Sequence, residues 1–226
     1  MSKKLLIIGA KGMAKRALDA IEEQQEYSEI ALLDGYADYD QVYSYPIIGS
    51  SDDVEKLRQD YSHAIVCIAD TKTRLHFLNR VMAVGFEVPN IIHPRAYVSK
   101  SVAMGVGIIV NAMAAIQSDT KIGNGCVIET GAVVEHDNEF GECVTISPNA
   151  STMGYIKIGN CTYVAGGACV VNAVCIGENV LVAAGSVVIS DTPDNVMVAG
   201  CPAVIKGSVE EMKHMIWPGV YPEGKF

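Results

Sequence analysis

Val133-Val134-Glu135-His136-Asp137-Asn138 sets one histidine between two carboxylates. Imidazole gains and loses a proton near neutral pH, and a carboxylate on one ring nitrogen leaves the other free for general acid–base work. An isolated histidine is more often a hydrogen-bonded surface or core residue, so the flanking acids are what single this one out. A second candidate lies at Gly9-Ala10-Lys11-Gly12, where an apolar run turns into a helix. Free backbone N–H groups and the positive end of the helix dipole make such a turn an anion site. Lys11 adds a charge, and Asp34 is an acid at the sequence distance suited to a ribose hydroxyl. The full GxGxxG is not present, and a tight turn without a ligand is the alternative reading. The seven cysteines form no CxxC pair. They are expected as reduced, mostly buried thiols, not as disulfides or a catalytic nucleophile.

The elements that must carry these residues are periodic. From Ile92 onward every sixth residue is large and apolar, through Val98, Val110, Val134 and Ile146 to Val188, with Thr152 the exception. Gly105, Gly123, Gly141, Gly159 and Gly177 add a second period of eighteen. A helix would repeat at three and four and an ordinary strand at two, so neither gives a strict six. A short repeat that cannot bury its apolar face alone stacks into a solenoid, here a triangular prism of parallel β-strands over Ile92–Val188. His136 stands two residues past an inward Val134, near a prism corner. Before the repeat, residues 3 to 8, Ile30–Leu33 and Ala64–Ile68 read as buried strands, with helices from Gly12 through Arg16 to Gln25 and over Thr71–Val84. That alternation predicts βαβ units with a parallel sheet. Some ninety residues amount to half of a dinucleotide fold, suited to one nucleotide.

Composition bounds the function. A formal net charge of -9 argues against a general nucleic-acid or anionic-membrane binder. MSKKLLIIGAKG has only a brief apolar run, so neither a signal peptide nor a membrane span is expected, and the chain reads as cytoplasmic.

The hexad pattern, with IIGAKG, ALLD, NIIHPRAYVS, VVEHDN and VMVAGCPA, resembles the left-handed β-helix (hexapeptide-repeat) acyltransferases. The resemblance is to the subgroup with a small nucleotide-binding N-terminal domain, the PglD-type enzymes that N-acetylate nucleotide-linked amino sugars and the NeuD-type sialic acid O-acetyltransferases. It covers about the first 205 residues. It implies an α/β half-Rossmann domain over residues 1–90 and a left-handed parallel β-helix over 91–207; after these the sequence itself reads as a short helix (Ser208–Ile216) with a tail, over 208–226. Trp217–Pro222 is aromatic enough to pack on a surface.

The resemblance implies acetyl-CoA as co-substrate with no metal, a nucleotide-sugar acceptor in bacterial surface-glycan synthesis, and a cyclic homotrimer with the cofactor between prisms. In that family the acid directly follows the histidine, which selects Asp137 over Glu135 as the partner of His136. An amine attacking the acetyl thioester sheds its proton to His136, and a corner N–H meets the oxyanion. Carried over, Gly9, Lys11, Gly12, Met13 and Asp34 face the nucleotide sugar, while Thr145, Gly154, Gly166 and Ala184 face acetyl-CoA. The chain departs from the family at Met13 and Ala14, which stand where histidine and glycine are usual. It departs also at Gly35 for a second acid, at Glu129 for asparagine and at Thr145 for histidine. His93, in the IHP motif at the join, is expected as a structural cap.

Two other enzyme readings and one non-enzymatic one compete: sugar O-acetylation, a β-helix metalloenzyme of the γ-carbonic anhydrase kind, and a non-catalytic scaffold. The second needs three histidine ligands, and His63, His76, His93, His136 and His214 do not cluster at ligand spacing. The retained His136-Asp137 pair argues against the third.

Overall fold

The computed structural model describes residues 3–216, so the expectation for Trp217–Pro222 lies outside the described residues. Five strands build the first sheet: β1 (Lys4–Ile8), β2 (Glu29–Leu33), β3 (Gln41–Val42), β4 (Tyr45–Gly49) and β5 (His63–Val66), in the order β3-β4-β2-β1-β5. β4, β2, β1 and β5 are parallel and β3 closes the edge antiparallel. Helices α1 (Gly12–Gln24) and α2 (Thr71–Val84) connect them, with a 3₁₀ helix over Ser51–Leu57. The sequence reading had three of the five strands. It passed over β3 and β4, whose mixed residues and Pro46 carry no clean alternation, and the 3₁₀ helix. The Ser50/Asp53 capping box that starts the 3₁₀ helix is a legible signal.

From Ile91 the chain winds into a left-handed parallel β-helix of two-residue strands. One face stacks Tyr97–Val98, Ala115–Ile116, Val133–Val134, Ser151–Thr152, Cys169–Val170 and Val187–Val188. The next stacks Ala103–Met104, Lys121–Ile122, Glu139–Phe140, Lys157–Ile158 and Cys175–Ile176. The third runs from Ile91–Ile92 to Leu181–Val182 and continues into the longer strands Val196–Gly200 and Ala203–Ser208, after which α3 spans Val209–Ile216. Pairings between the two-residue strands are offset by eighteen residues, as in Val127↔Thr145 and Ile128↔Ile146, and the offset falls to sixteen where the last coil closes, as in Leu181↔Met197. The inward residues form one continuous core, the favourable term that any solenoid must collect by stacking.

The glycine column has a steric cause. A Cβ at Gly123 would lie 2.3 Å from the Gly141 carbonyl oxygen of the next coil, and one at Gly141 would lie 2.4 Å from Asn160 Oδ1. The corner is tight enough that only hydrogen fits.

The third face is covered by other parts of the chain and is largely apolar on its outer side as well, Thr145 being the polar exception. Its outward residues Ile91, Ile109 and Val127 share a core with α1 and β1, and Leu181 packs with Met197 and Val209 of the C-terminal segment. α2 docks by Arg74, which is 1% exposed. Its Nε–H donates to the Gly125 carbonyl at 2.9 Å and Nη1 to those of Ile68 and Ala69. Nη2 donates to the Cys143 carbonyl at 2.8 Å and Thr145 Oγ1 at 2.7 Å. Among the described residues this guanidinium makes no ion pair; backbone oxygen and one hydroxyl solvate it.

The cysteines are free thiols, four of them buried. Burial pushes the Cys67 and Cys126 thiols up to about 12 and Cys143 to about 11. Thiolate, not thiol, is the reactive form. A thiol reagent at mildly alkaline pH is therefore expected to modify exposed Cys175 and Cys201 first and to reach Cys67 and Cys126 only on unfolding. Peptide-resolved mass spectrometry reads the order, and early labelling of Cys67 would contradict the packing of β5.

Candidate active site

His136 sits on the corner between the first and second prism faces. Its neighbour Asp137 adopts φ +56°, in the left-handed region that short polar residues tolerate. That turn brings the Asp137 carboxylate back onto the ring, with His136 Nδ1 2.8 Å from Asp137 Oδ2. A carboxylate only accepts, so Nδ1 carries the proton and Nε2 presents its lone pair. Glu135 makes no such contact, its carbonyl serving the corner instead.

The ring lies over Gly154, one coil on: a Cβ there would be 2.7 Å from His136 Cε1 and 3.1 Å from Nε2. Tyr155 sets its ring edge-on to the imidazole, with centroids 5.3 Å apart. An open groove of about 430 Å³ runs alongside, lined by Asp119, Lys121, Asp137, Glu139, Tyr155 and Lys157. Lys121 and Lys157 both pair with Glu139, at 3.0 and 3.4 Å, and hold its carboxyl below the usual range.

Beneath the corner Asn138 is fully buried. Its Nδ2 donates to the Glu135 carbonyl at 2.8 Å and Thr152 Oγ1 at 3.2 Å, and its Oδ1 accepts from Ile156 N–H at 2.7 Å. The one polar residue in the inward hexad column, Thr152, is thus the partner of the asparagine that braces the His136 turn. Asn138→Ala is expected to cost roughly 3 kcal/mol in urea unfolding, since each buried polar group left unpaired costs about 1–3 kcal/mol. A cost below about 1 kcal/mol would show that the brace carries little.

At the other candidate, Gly9 turns at φ +98° with no room for a side chain, because a Cβ would lie 2.6 Å from the Cys67 carbonyl oxygen. Asp34 pins this turn: Oδ2 accepts the Ala10 N–H and Oδ1 the Tyr36 N–H, both at 2.9 Å. Tyr39 O–H donates to the Ala10 carbonyl. The first turn of α1 has no acid, and Lys11 at its N-cap supplies no side-chain hydrogen bond, whereas Asp70 caps α2 through Thr73 N–H at 2.8 Å.

Two expected contacts are corrected. Met13 is 5% exposed and packs into the core beside Ala10 and Leu18, so its side chain cannot face a substrate. Thr145 is 2% exposed and accepts from Arg74, a seam contact instead of a cofactor contact. Gly166 and Ala184 stack one coil apart at a different corner from His136 and Gly154, so one chain does not bring all four together. Added Cβ atoms at neighbouring Gly167 and Gly185 would meet nothing within 4 Å, which leaves that edge open.

His93 Nδ1 accepts the Arg95 N–H at 3.0 Å, the local cap expected of it. His63 bonds Ser62 and Glu87. Among the described residues no three His, Cys, Asp or Glu side chains are set to hold a metal ion. Sequence reading missed Tyr155 and an ion pair between Arg16 and Glu129, 113 residues apart, which no spacing rule connects.

Residues 4–81 match the family described as PglD N-terminal domain. The whole chain is similar to perosamine N-acetyltransferase from Caulobacter crescentus, solved as a histidine-to-asparagine variant with CoA and GDP-perosamine. Identity is 34%, coverage 91% of this chain and 97% of that one, and the TM-score 0.87. This chain belongs to that family of hexapeptide-repeat sugar acetyltransferases. The acetyltransferase domain of PglB from Neisseria gonorrhoeae FA1090, solved with acetyl coenzyme A, is 32% identical over 91% of this chain and 100% of that one, with TM-score 0.87. WeeI from Acinetobacter baumannii AYE, at 22% identity over 91% of this chain and 100% of that one, with TM-score 0.75, shares the fold. No curated protein sequence gives a significant match. Among the described residues of this acetyltransferase no helix is long and apolar enough to cross a membrane.

Proposed function

We propose that this acetyltransferase moves an acetyl group from acetyl-CoA to the amine of a nucleotide-linked amino sugar in bacterial surface-glycan synthesis. The observation that carries the reading is His136, fixed by Asp137 through Nδ1 and open at Nε2. The acceptor nitrogen attacks the thioester carbonyl and its proton passes to His136 Nε2. The tetrahedral centre collapses, the C–S bond breaks, and the imidazolium returns the proton to the departing sulfur. Asp137 favours that imidazolium by its charge. The open edge at Gly166 and Ala184 admits the pantetheine arm along bare backbone. The glycine turn of Lys11 and Gly12, pinned by Asp34, receives the nucleotide phosphates.

Residues 1–90 hold the acceptor and 91–207 the chemistry and the donor. Because the His136 corner and the Gly166 edge are separate in one chain, the complete site forms between copies of a cytoplasmic homotrimer. A thermal-shift panel of UDP-, GDP-, dTDP- and CMP-linked amino sugars, with and without acetyl-CoA, tests the reading, since a ligand that binds only the folded state raises its stability. A joint shift with one nucleotide sugar, followed by amide formation by mass spectrometry, is expected. Stabilisation by acetyl-CoA alone would move the acceptor to a free sugar.

A further inference from the structure

Arg16 lies one turn into α1, and its side chain folds back along the helix. A Cβ at Gly12 would lie 3.6 Å from Arg16 Nη1, which places that nitrogen at the glycine turn. On the other side Nη2 donates to Glu129 Oε1 at 2.7 Å, and Glu129 Oε2 accepts from Asn111 Nδ2 at 2.6 Å. Glu129 and Asn111 are 5% and 2% exposed on adjacent coils, while the Arg16 side chain keeps 42% of its surface open. The turn that Arg16 reaches joins the carboxyl end of β1 to α1, the end at which open parallel sheets bind their ligands.

A tie that only joined the two domains would be complete in itself, and this one is not. Asn111 Oδ1 and Arg16 Nε are buried without partners, and Nη1 makes no hydrogen bond among the described residues. A guanidinium fixed at Nη2 by a carboxylate still has Nη1 to offer a second anion, and a phosphate oxygen is an acceptor that suits it. We propose that Arg16 binds the phosphate that joins sugar to nucleoside in the acceptor, with Glu129 and Asn111 as its positioning residues. This rests on the nucleotide-sugar reading above.

The test uses the full-length enzyme and whichever nucleotide amino sugar it turns over. Arg16→Met is expected to raise the KM for that sugar nucleotide by about tenfold to a hundredfold while the KM for acetyl-CoA stays within about twofold. It also strands a buried carboxylate and lowers Tm. Arg16→Met/Glu129→Gln removes that stranded charge. Tm is then expected to recover while the KM for the sugar nucleotide stays raised. Recovery of KM together with Tm, or an unchanged KM in Arg16→Met, would leave a domain tie only and overturn the proposal. A wild-type enzyme that turns over no nucleotide amino sugar would overturn it together with the functional reading.

Discussion

His136→Ala is expected to lower kcat by about 10²- to 10⁴-fold, the usual worth of a positioned general base. Nδ1 is committed to Asp137, so Nε2 is the one ring atom able to take the proton of the attacking amine. The side chain is 44% exposed and, beyond Asp137, touches only the edge of Tyr155 and the bare Gly154, so Tm should hold and the KM values should move little. Stopped assays with and without added imidazole separate lost chemistry from lost binding. Turnover close to wild type would mean that the amine reaches the thioester already deprotonated and that the histidine is not the base.

The second large effect comes from a residue with no side chain. Gly154→Ala places a methyl 2.7 Å from His136 Cε1, closer than real Cβ contacts stand. The nearest atoms belong to the ring and not to backbone, so the imidazole is what moves, and Gly154 has no positive φ to make alanine itself strained. A shift of about 1 Å in a reacting group costs on the order of 10²-fold in rate. A kcat reduced by about that factor, with Tm within a degree or two of wild type, is the expected pair of results. A wild-type kcat would show that the ring has room to slide without penalty. Gly154 was read from the sequence as lying against acetyl-CoA; the structure adds a task that the sequence did not show, leaving room for the histidine ring.

That difference illustrates what the sequence exposes. The prism was legible because each inward position repeats at six and any slip would turn an apolar residue outward. Its one exception, Thr152, stood out in the hexad column without a reason, and the structure supplies one: it is bonded to Asn138, fourteen residues back, across the corner that carries His136. The histidine and its acid were legible as neighbours in the chain. Met13 and Thr145 were misplaced because a family contact was carried over to residues of different chemistry, and burial followed the chemistry: thioether into the core, hydroxyl under Arg74. A signal for the covered face was present and unread. Of the six outward positions Ile91, Ile109, Val127, Thr145, Tyr163 and Leu181, four are aliphatic and none is charged, whereas the corresponding residues of the second face include Lys121, Glu139 and Lys157. Arg16 with Glu129 was beyond reach, since the partners come from separate domains and meet only after both have folded.

The seam at Arg74 bears on how such enzymes exchange parts. Its charge is answered by the carbonyls of Ile68, Ala69, Gly125 and Cys143, which belong to both modules at once. A foreign nucleotide-binding module grafted onto this prism would need an arginine at the same place on its second helix, because among the described residues no acid pairs with Arg74 to compensate a misaligned one. The guanidinium acts as a key that admits only modules cut to this register, and chimeras made at residue 90 should sort into stable and unstable by that single position.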